Sequence, residues 1–330
     1  MDSEPKPFLD LGRARRVKGR GFQVRLSLAE RIRAARGLPQ AVVKVGKYIS
    51  GKRHLAYKLW YNSRDSKLPL ENDRGQELTT PEERRTLADD WAMDFDDRPR
   101  SRDAANLVFS MPKGSDPEAL RAATRTALTR LFPDNEWVFA VHTDRGHPHA
   151  HALVKMRGRD AEKKLRLDKP ELYQMREVFA EAAREQGVQL AASPRAARGV
   201  GRKAERQGIY HMREKKIPLN VDRDAEREAT HELGRGRPLP QPWEKSMAAR
   251  HLLERATYER YAQHLRSKAA GASAEERDRW LRAAADMERF LRDMPKPKTR
   301  RQELLEKSKR KNQQRESGRE RGAGGLDLER

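Results

Sequence analysis

Apolar positions along this chain fall into short blocks whose spacing separates strands from helices. Ala41-Val-Val-Lys-Val45, Asn106-Leu-Val-Phe-Ser110, Trp137-Val-Phe-Ala-Val141 and Ala152-Leu-Val-Lys-Met156 are compact and rich in β-branched and aromatic residues, and each predicts a strand. Between them apolar residues recur at helical spacing. The pattern is helical from Gly51 to Arg64, then polar and turn-rich to Thr80. That threonine caps a helix beginning at Pro81 and running to Phe95. Ser115 or Asp116 caps another, with Leu120, Ala123, Ala127, Leu128 and Leu131 on one face, and a further helix is expected from Pro170 to Gly187. Only a short loop separates the last two strands, so they should pair as an antiparallel hairpin. The order predicts an α+β fold, a mostly antiparallel sheet with helices packed on it.

That core domain is expected over 39–190. Before it, 1–38 holds ten Lys or Arg against four acids and reads as a basic arm, with one short helix over Leu28–Arg36. After it come a basic linker (191–242), a helical region (243–294) broken at Gly271-Ala-Ser273, and a basic tail (295–330) expected to be disordered. Composition agrees. Charged residues are 37% of the 330 and apolar ones 36%, so part of the chain should pack no core. The net charge of +22 calls for a polyanion, and nucleic acid is the first to consider. With no Cys, any metal must rest on His, Asp or Glu. No apolar run approaches the roughly 18 residues of a membrane span and no signal-peptide core opens the chain, so a cytoplasmic protein without membrane insertion is expected.

Four of the nine histidines fall within ten residues, as His142-Thr-Asp-Arg-Gly-His147-Pro-His149-Ala-His151. His149 and His151 are one residue apart at the start of a strand and point to the same side. His142 ends the preceding strand and can lie opposite them, where paired residues stand roughly 4.5–5.5 Å apart. Three imidazoles there form half a shell for a divalent ion and leave positions open for substrate or water. Asp144 can accept from a ligand's second N–H or act beside the metal. His147 is either a general base or a solvated loop residue. Imidazole ligation suits zinc, manganese, nickel or copper, while phosphate oxygens from a substrate would shift the preference to magnesium or manganese.

His-x-Asp followed by Pro-His-x-His resembles the third motif of the relaxase/mobilisation nuclease family, the HUH tyrosine endonucleases that start conjugative DNA transfer and that include the T-DNA border nucleases. In that family a tyrosine lies on the helix after the first strand, in a phrase close to Tyr-x-Ser-Arg. Here Trp60-Tyr61-Asn62-Ser63-Arg64 follows the Ala41–Val45 strand, and Ser110 stands where the family has its middle motif. The resemblance covers roughly 39–190. One departure is that many members carry an Asn shortly after the last His, where this chain reads Ala152-Leu-Val-Lys155.

The resemblance implies a palm-like relaxase core that nicks one strand at a transfer origin. A tyrosine attacks phosphorus, a 5′-phosphotyrosyl intermediate forms, and the strand is later rejoined without ATP. Single-stranded DNA, relaxosome accessory proteins and a type IV secretion coupling protein are the implied partners, with possible passage of the protein into a recipient cell. Tyr57 and Tyr61 share a helix face, and spacing alone does not separate them. The Ser63-Arg64 context selects Tyr61, leaving Tyr57 as a substitute or second nucleophile. Arg64, Ser110 and the run Arg13, Arg15, Arg16, Lys18 and Arg20 are expected to contact DNA, as are Arg195, Arg198, Arg202 and Lys203. Trp60, Trp91 and Phe95 are the candidates for base stacking, with core packing the favoured reading for Trp91 and Phe95. Two other readings stand beside this one. A rolling-circle replication initiator or transposase would use Tyr173, and a non-catalytic basic DNA-binding protein would hold a structural metal.

Overall fold

The computed structural model describes residues 26–96, 98–144, 146–159, 164–201, 205–235 and 241–310, with the backbone of Arg15–Val17 (β1) and Gly21–Gln23 (β2). It divides into two units, Met1–Pro194 and Arg195–Arg330.

In the first unit, helix α1 (Leu28–Ala35) precedes β3 (Val42–Val45), α2 (Lys52–Asn62), β4 (Leu70–Asn72), β5 (Glu77–Leu78) and α3 (Pro81–Ala92). Then come β6 (Ala104–Ser110), α4 (Pro117–Leu131), β7 (Trp137–His142), β8 (His149–Lys155) and α5 (Lys169–Glu185). Thr80 forms a capping box with Glu83, and Asp116 caps α4, as their positions before Pro81 and Pro117 dictate. Strands β3 to β8 form one antiparallel sheet in the order β3-β6-β8-β7-β4-β5.

Alternation along the strands builds two cores. Leu107, Phe109, Phe139, Ala150, Ala152 and Val154 pack under α4 and α5, against Leu120, Leu128, Met175 and Phe179. On the other face Ala104, Val138, Ala140 and Leu153 meet Leu55 and Leu59 of α2 and Trp91 of α3. This second layer positions the site described below.

Several expectations are revised. The β4–β5 hairpin occupies part of the stretch expected to be turns. Its loop closes because Asn72 Oδ1 accepts the amides of Arg74 (3.1 Å) and Gln76 (2.9 Å), with Gly75 at φ 75°. Buried Glu71 is held there by Arg125 and Arg121 from α4. The fourth expected strand starts at His149, ahead of its apolar block at Ala152, in keeping with the placing of His149 and His151 at a strand start. α1 is not part of a free arm: Glu30 is 5% exposed and accepts from Arg33 (2.7 Å) and the Ala192 amide (2.7 Å). Residues 191–193 belong to this unit too, since Ala191 bridges Gln40 in parallel.

The second unit opens with a short 3₁₀ turn (Ala196–Arg198), followed by α6 (Gln207–Glu214) and α7 (Asn220–Arg235), where a linker was expected. α8 (Pro242–Ala270) and α9 (Ala274–Asp293) form the expected helical hairpin, breaking at Gly271. Tyr258 packs on Phe290 with ring centroids 4.8 Å apart. Residues 300–310, expected to be disordered, are helical. Arg301 is buried between Glu232 and Glu244, which anchors that segment to α7 and α8. Among the described residues no helix is long and apolar enough to cross a membrane.

Candidate active site

His142, His149 and His151 share strand parity with Val138, Ala140 and Leu153, so they face α2 and not the α4–α5 layer. His142 pairs with His149 in the ladder, and Ser110 pairs with His149 from the other side. His151 lies one row along, between Ala140 and Val108. The three ring centroids stand 4.8–5.3 Å apart, and one nitrogen from each ring lies within 4.8 Å of the others.

Two of the rings are fixed through the nitrogen that a metal would not use. A carbonyl can only accept, so His142 Nε2 must carry a hydrogen donated to the Asn62 carbonyl (2.7 Å), and His149 Nδ1 one donated to the His147 carbonyl (3.1 Å). That leaves His142 Nδ1 as a buried lone pair with no partner among the described residues. Burial lowers the pKa of His142, and it lowers that of His151 to about 3, with His142, His149, Lys58 and Arg64 adding to the effect. Neutral imidazoles, an orphaned inward nitrogen and carbonyl-fixed tautomers are the conditions that a divalent ion requires of this donor set.

α2 ends beside the triad. Tyr61 meets His151 edge-on, with centroids 6.1 Å apart and planes at 90°. Lys58 Nζ lies 5.2 Å and Arg64 Cζ 5.4 Å from the Tyr61 ring centre. Arg64 also donates to Asp144 Oδ2 at 2.5 Å. Directly after the helix, Arg64, Asp65 and Ser66 are left-handed, with φ of 50°, 57° and 66°. Ser63 holds this turn through the Trp60 carbonyl (3.1 Å) and the Ser66 amide (3.3 Å), and Arg84 donates to Ser66 Oγ (2.5 Å). A cleft of about 550 Å³ opens here, bounded by Trp60, Tyr61, Arg64, Leu68, His142 and Asp144.

The expected residues therefore separate. The structure gathers Tyr61, Arg64, Ser110, Asp144 and the three histidines. Tyr57 is 54% exposed and stacks on Trp60, away from the triad. Tyr173 is buried on α5, across the sheet from the triad, and burial raises its pKa far from phenolate formation at neutral pH. Of the two roles left open for Asp144, orienting a ring is not seen at His142 or His149, whose second nitrogens go to main-chain carbonyls; Asp144 is instead paired with Arg64. The His147 side chain is exposed. Trp91 is buried in the core and half-buried Phe95 packs against that cluster, which is the core packing favoured for both. Arg13, Lys18, Arg20, Arg202 and Lys203 lie outside the described residues, and of Arg15 and Arg16 only the β1 backbone is described. Arg195 precedes the 3₁₀ turn of the second unit and Arg198 is its last residue. Lys155, at the departure noted above, is paired with Glu136 (2.8 Å) and Asp94 (2.6 Å). Sequence reasoning missed Lys58, although a place three residues before Tyr61 on a helix signals it. It also missed the two carbonyls, which leave no mark in residue identity.

Residues 61–188 match the family model described as relaxase, MobA/VirD2-like, nuclease domain, a span that starts at Tyr61 and includes the whole triad. Over this span the chain is similar to the nuclease domain of relaxases. The folded unit extends beyond the matched span, since β3 and most of α2 precede it. The chain is 27% identical over 263 residues to the T-DNA border endonuclease VirD2 of Rhizobium radiobacter, covering 70% of this chain and 61% of that protein. It is 26% identical to the VirD2 of Agrobacterium fabrum (63% and 48%) and 28% identical to that of Rhizobium rhizogenes (49% and 38%). The chain thus spans less than two thirds of the length of each of these relatives.

Proposed function

We propose that this protein is a conjugative relaxase, a metal-dependent endonuclease that nicks one DNA strand at a transfer origin. The observation carrying this reading is the edge contact of Tyr61 with His151, which sets one tyrosine, and no other candidate, against a three-histidine donor set. Tyr61 Oη attacks phosphorus, the Oη–P bond forms, the P–O3′ bond breaks, and the departing O3′ takes a proton from water to leave a free 3′-hydroxyl. Asp144, lining the same cleft, takes the phenolic proton, and Arg64 braces both Asp144 and the scissile phosphate. Lys58 and Arg64 place positive charge on the Tyr61 ring as charge builds on its oxygen. His142 Nδ1, His149 Nε2 and His151 would hold a divalent ion, which supplies Lewis-acid stabilisation to the phosphate. Magnesium or manganese is the ion proposed, with zinc and nickel as the alternatives, because phosphate oxygens complete the shell. Ser110 contacts the strand beside the triad. The phosphotyrosyl bond conserves energy for rejoining. Accessory relaxosome proteins, a type IV coupling protein and a cytoplasmic location before transfer complete the proposal.

The test is a covalent-adduct assay. The protein is incubated with single-stranded DNA flanking its own gene and with manganese or magnesium, resolved under denaturing conditions, and the modified peptide is mapped by mass spectrometry. DNA on Tyr61, absent with EDTA or in Tyr61→Phe, is the expected result; an adduct on another tyrosine would overturn the assignment.

A further inference from the structure

Trp60 is 46% exposed on α2, one residue before Tyr61, although an indole contributes most to a fold when buried. Two contacts fix its plane. Nε1–H donates to Asp65 Oδ1 at 2.8 Å, and Tyr57 packs on it with ring centroids 5.8 Å apart at 35°. Asp65 lies within the left-handed run, a conformation that non-glycine residues adopt at a cost and that the Ser63 and Arg84 hydrogen bonds maintain. A strained turn is thus kept where its effect is an exposed, oriented aromatic plane. The same plane walls the cleft that contains Tyr61 and His142. Arg64 and Lys67 line that cleft together with Asp65 and Asp144, and Arg53 and Lys58 are carried on the same helix. A π surface bordered by cations matches an unpaired base on a phosphodiester chain.

We propose that Trp60, backed by Tyr57 and held by Asp65, stacks on one unpaired base of the cleaved strand, next to the phosphate presented to Tyr61. The position of that phosphate rests on the relaxase reading above. Every base has a π face, so such a subsite tolerates sequence. It fixes register instead, setting which phosphate reaches Tyr61 once the neighbouring base is seated.

The test needs no cleavage. Binding is measured by fluorescence anisotropy with two single-stranded probes of equal charge, a dT 20-mer and a deoxyribose-phosphate 20-mer without bases. The native chain should prefer the dT probe. Trp60→Ala should narrow that preference by roughly tenfold and leave affinity for the abasic probe nearly unchanged, while Trp60→Phe keeps most of it. An unchanged preference in Trp60→Ala overturns the stacking subsite and leaves the relaxase reading to the Tyr61 adduct. Equal weakening towards both probes also overturns it, since Trp60 would then support the fold or the phosphate contacts. Absence of any preference in the native chain overturns it as well.

Discussion

His142 and Asn62 are joined by a 2.7 Å hydrogen bond from the imidazole Nε2–H to the main-chain carbonyl, which ties the triad's strand to the helix that bears Tyr61. The bond leaves Nδ1 as the lone-pair donor and sets the distance between triad and tyrosine. His142→Ala removes a proposed ligand and the tether together. Manganese affinity by calorimetry should fall roughly 100-fold, and nicking of transfer-origin DNA should be lost, as the proposed mechanism also expects of the native chain in EDTA. Native manganese affinity in the variant would remove His142 from the site.

Lys58 carries the nearest ammonium to the Tyr61 ring in this arrangement, 5.2 Å from its centre. Lys58→Met should lower the single-turnover cleavage rate by roughly 100-fold, while Lys58→Arg restores most of it. The same loss in DNA affinity with an unchanged cleavage rate would make Lys58 a binding residue only.

Glu177 on α5 is far from this chemistry, and its pKa is raised to about 7, chiefly by burial, with Glu30 and Glu181 adding to it. The folded protein therefore holds this proton more tightly than the unfolded chain. Stability from this group is greatest below its ordinary carboxyl range, declines as pH rises towards about 7, and is fully lost above that. Urea midpoints at pH 5 and pH 8 should differ less in Glu177→Gln than in the native protein, with the variant more stable at pH 8. Parallel shifts in both proteins would refute this.

Asn62 offers a separate stability test. Its side chain is 1% exposed, and neither Oδ1 nor Nδ2 meets a partner among the described residues. An unpaired buried amide costs about 1–3 kcal/mol, which Asn62→Leu removes while keeping the main-chain bond to His142. Thermal unfolding should shift upward by a few degrees with manganese affinity unchanged. A lower midpoint would mean that a buried water serves the amide.

Much of the first unit is legible in the sequence because its signals are local. The period of two along β7 and β8, with a short loop between them, is enough to bring His142 against His149. Distant partners account for what was hidden. β4 and β5 are three and two residues long, and buried Glu71 depends on Arg125, 54 residues away. Asp144 was read against the histidines beside it, whereas its partner is Arg64, 80 residues earlier. α1 was assigned to an arm because its Glu30 looks solvated until the amide of Ala192 closes on it.

The position of β8 in the sheet has one more consequence. This strand is laddered on both sides, by β6 and β7, so the amides of His149 and His151 should be among the slowest to exchange with deuterium. Tyr61 sits at the last turn of a helix, against a turn held by a few side-chain bonds. The two halves of the site thus have unequal lifetimes, an anvil in the middle of the sheet and a striker at a helix end. On the proposed mechanism, in which DNA is joined to Tyr61, the striker is the half that can swing away with its cargo while the anvil stays in place.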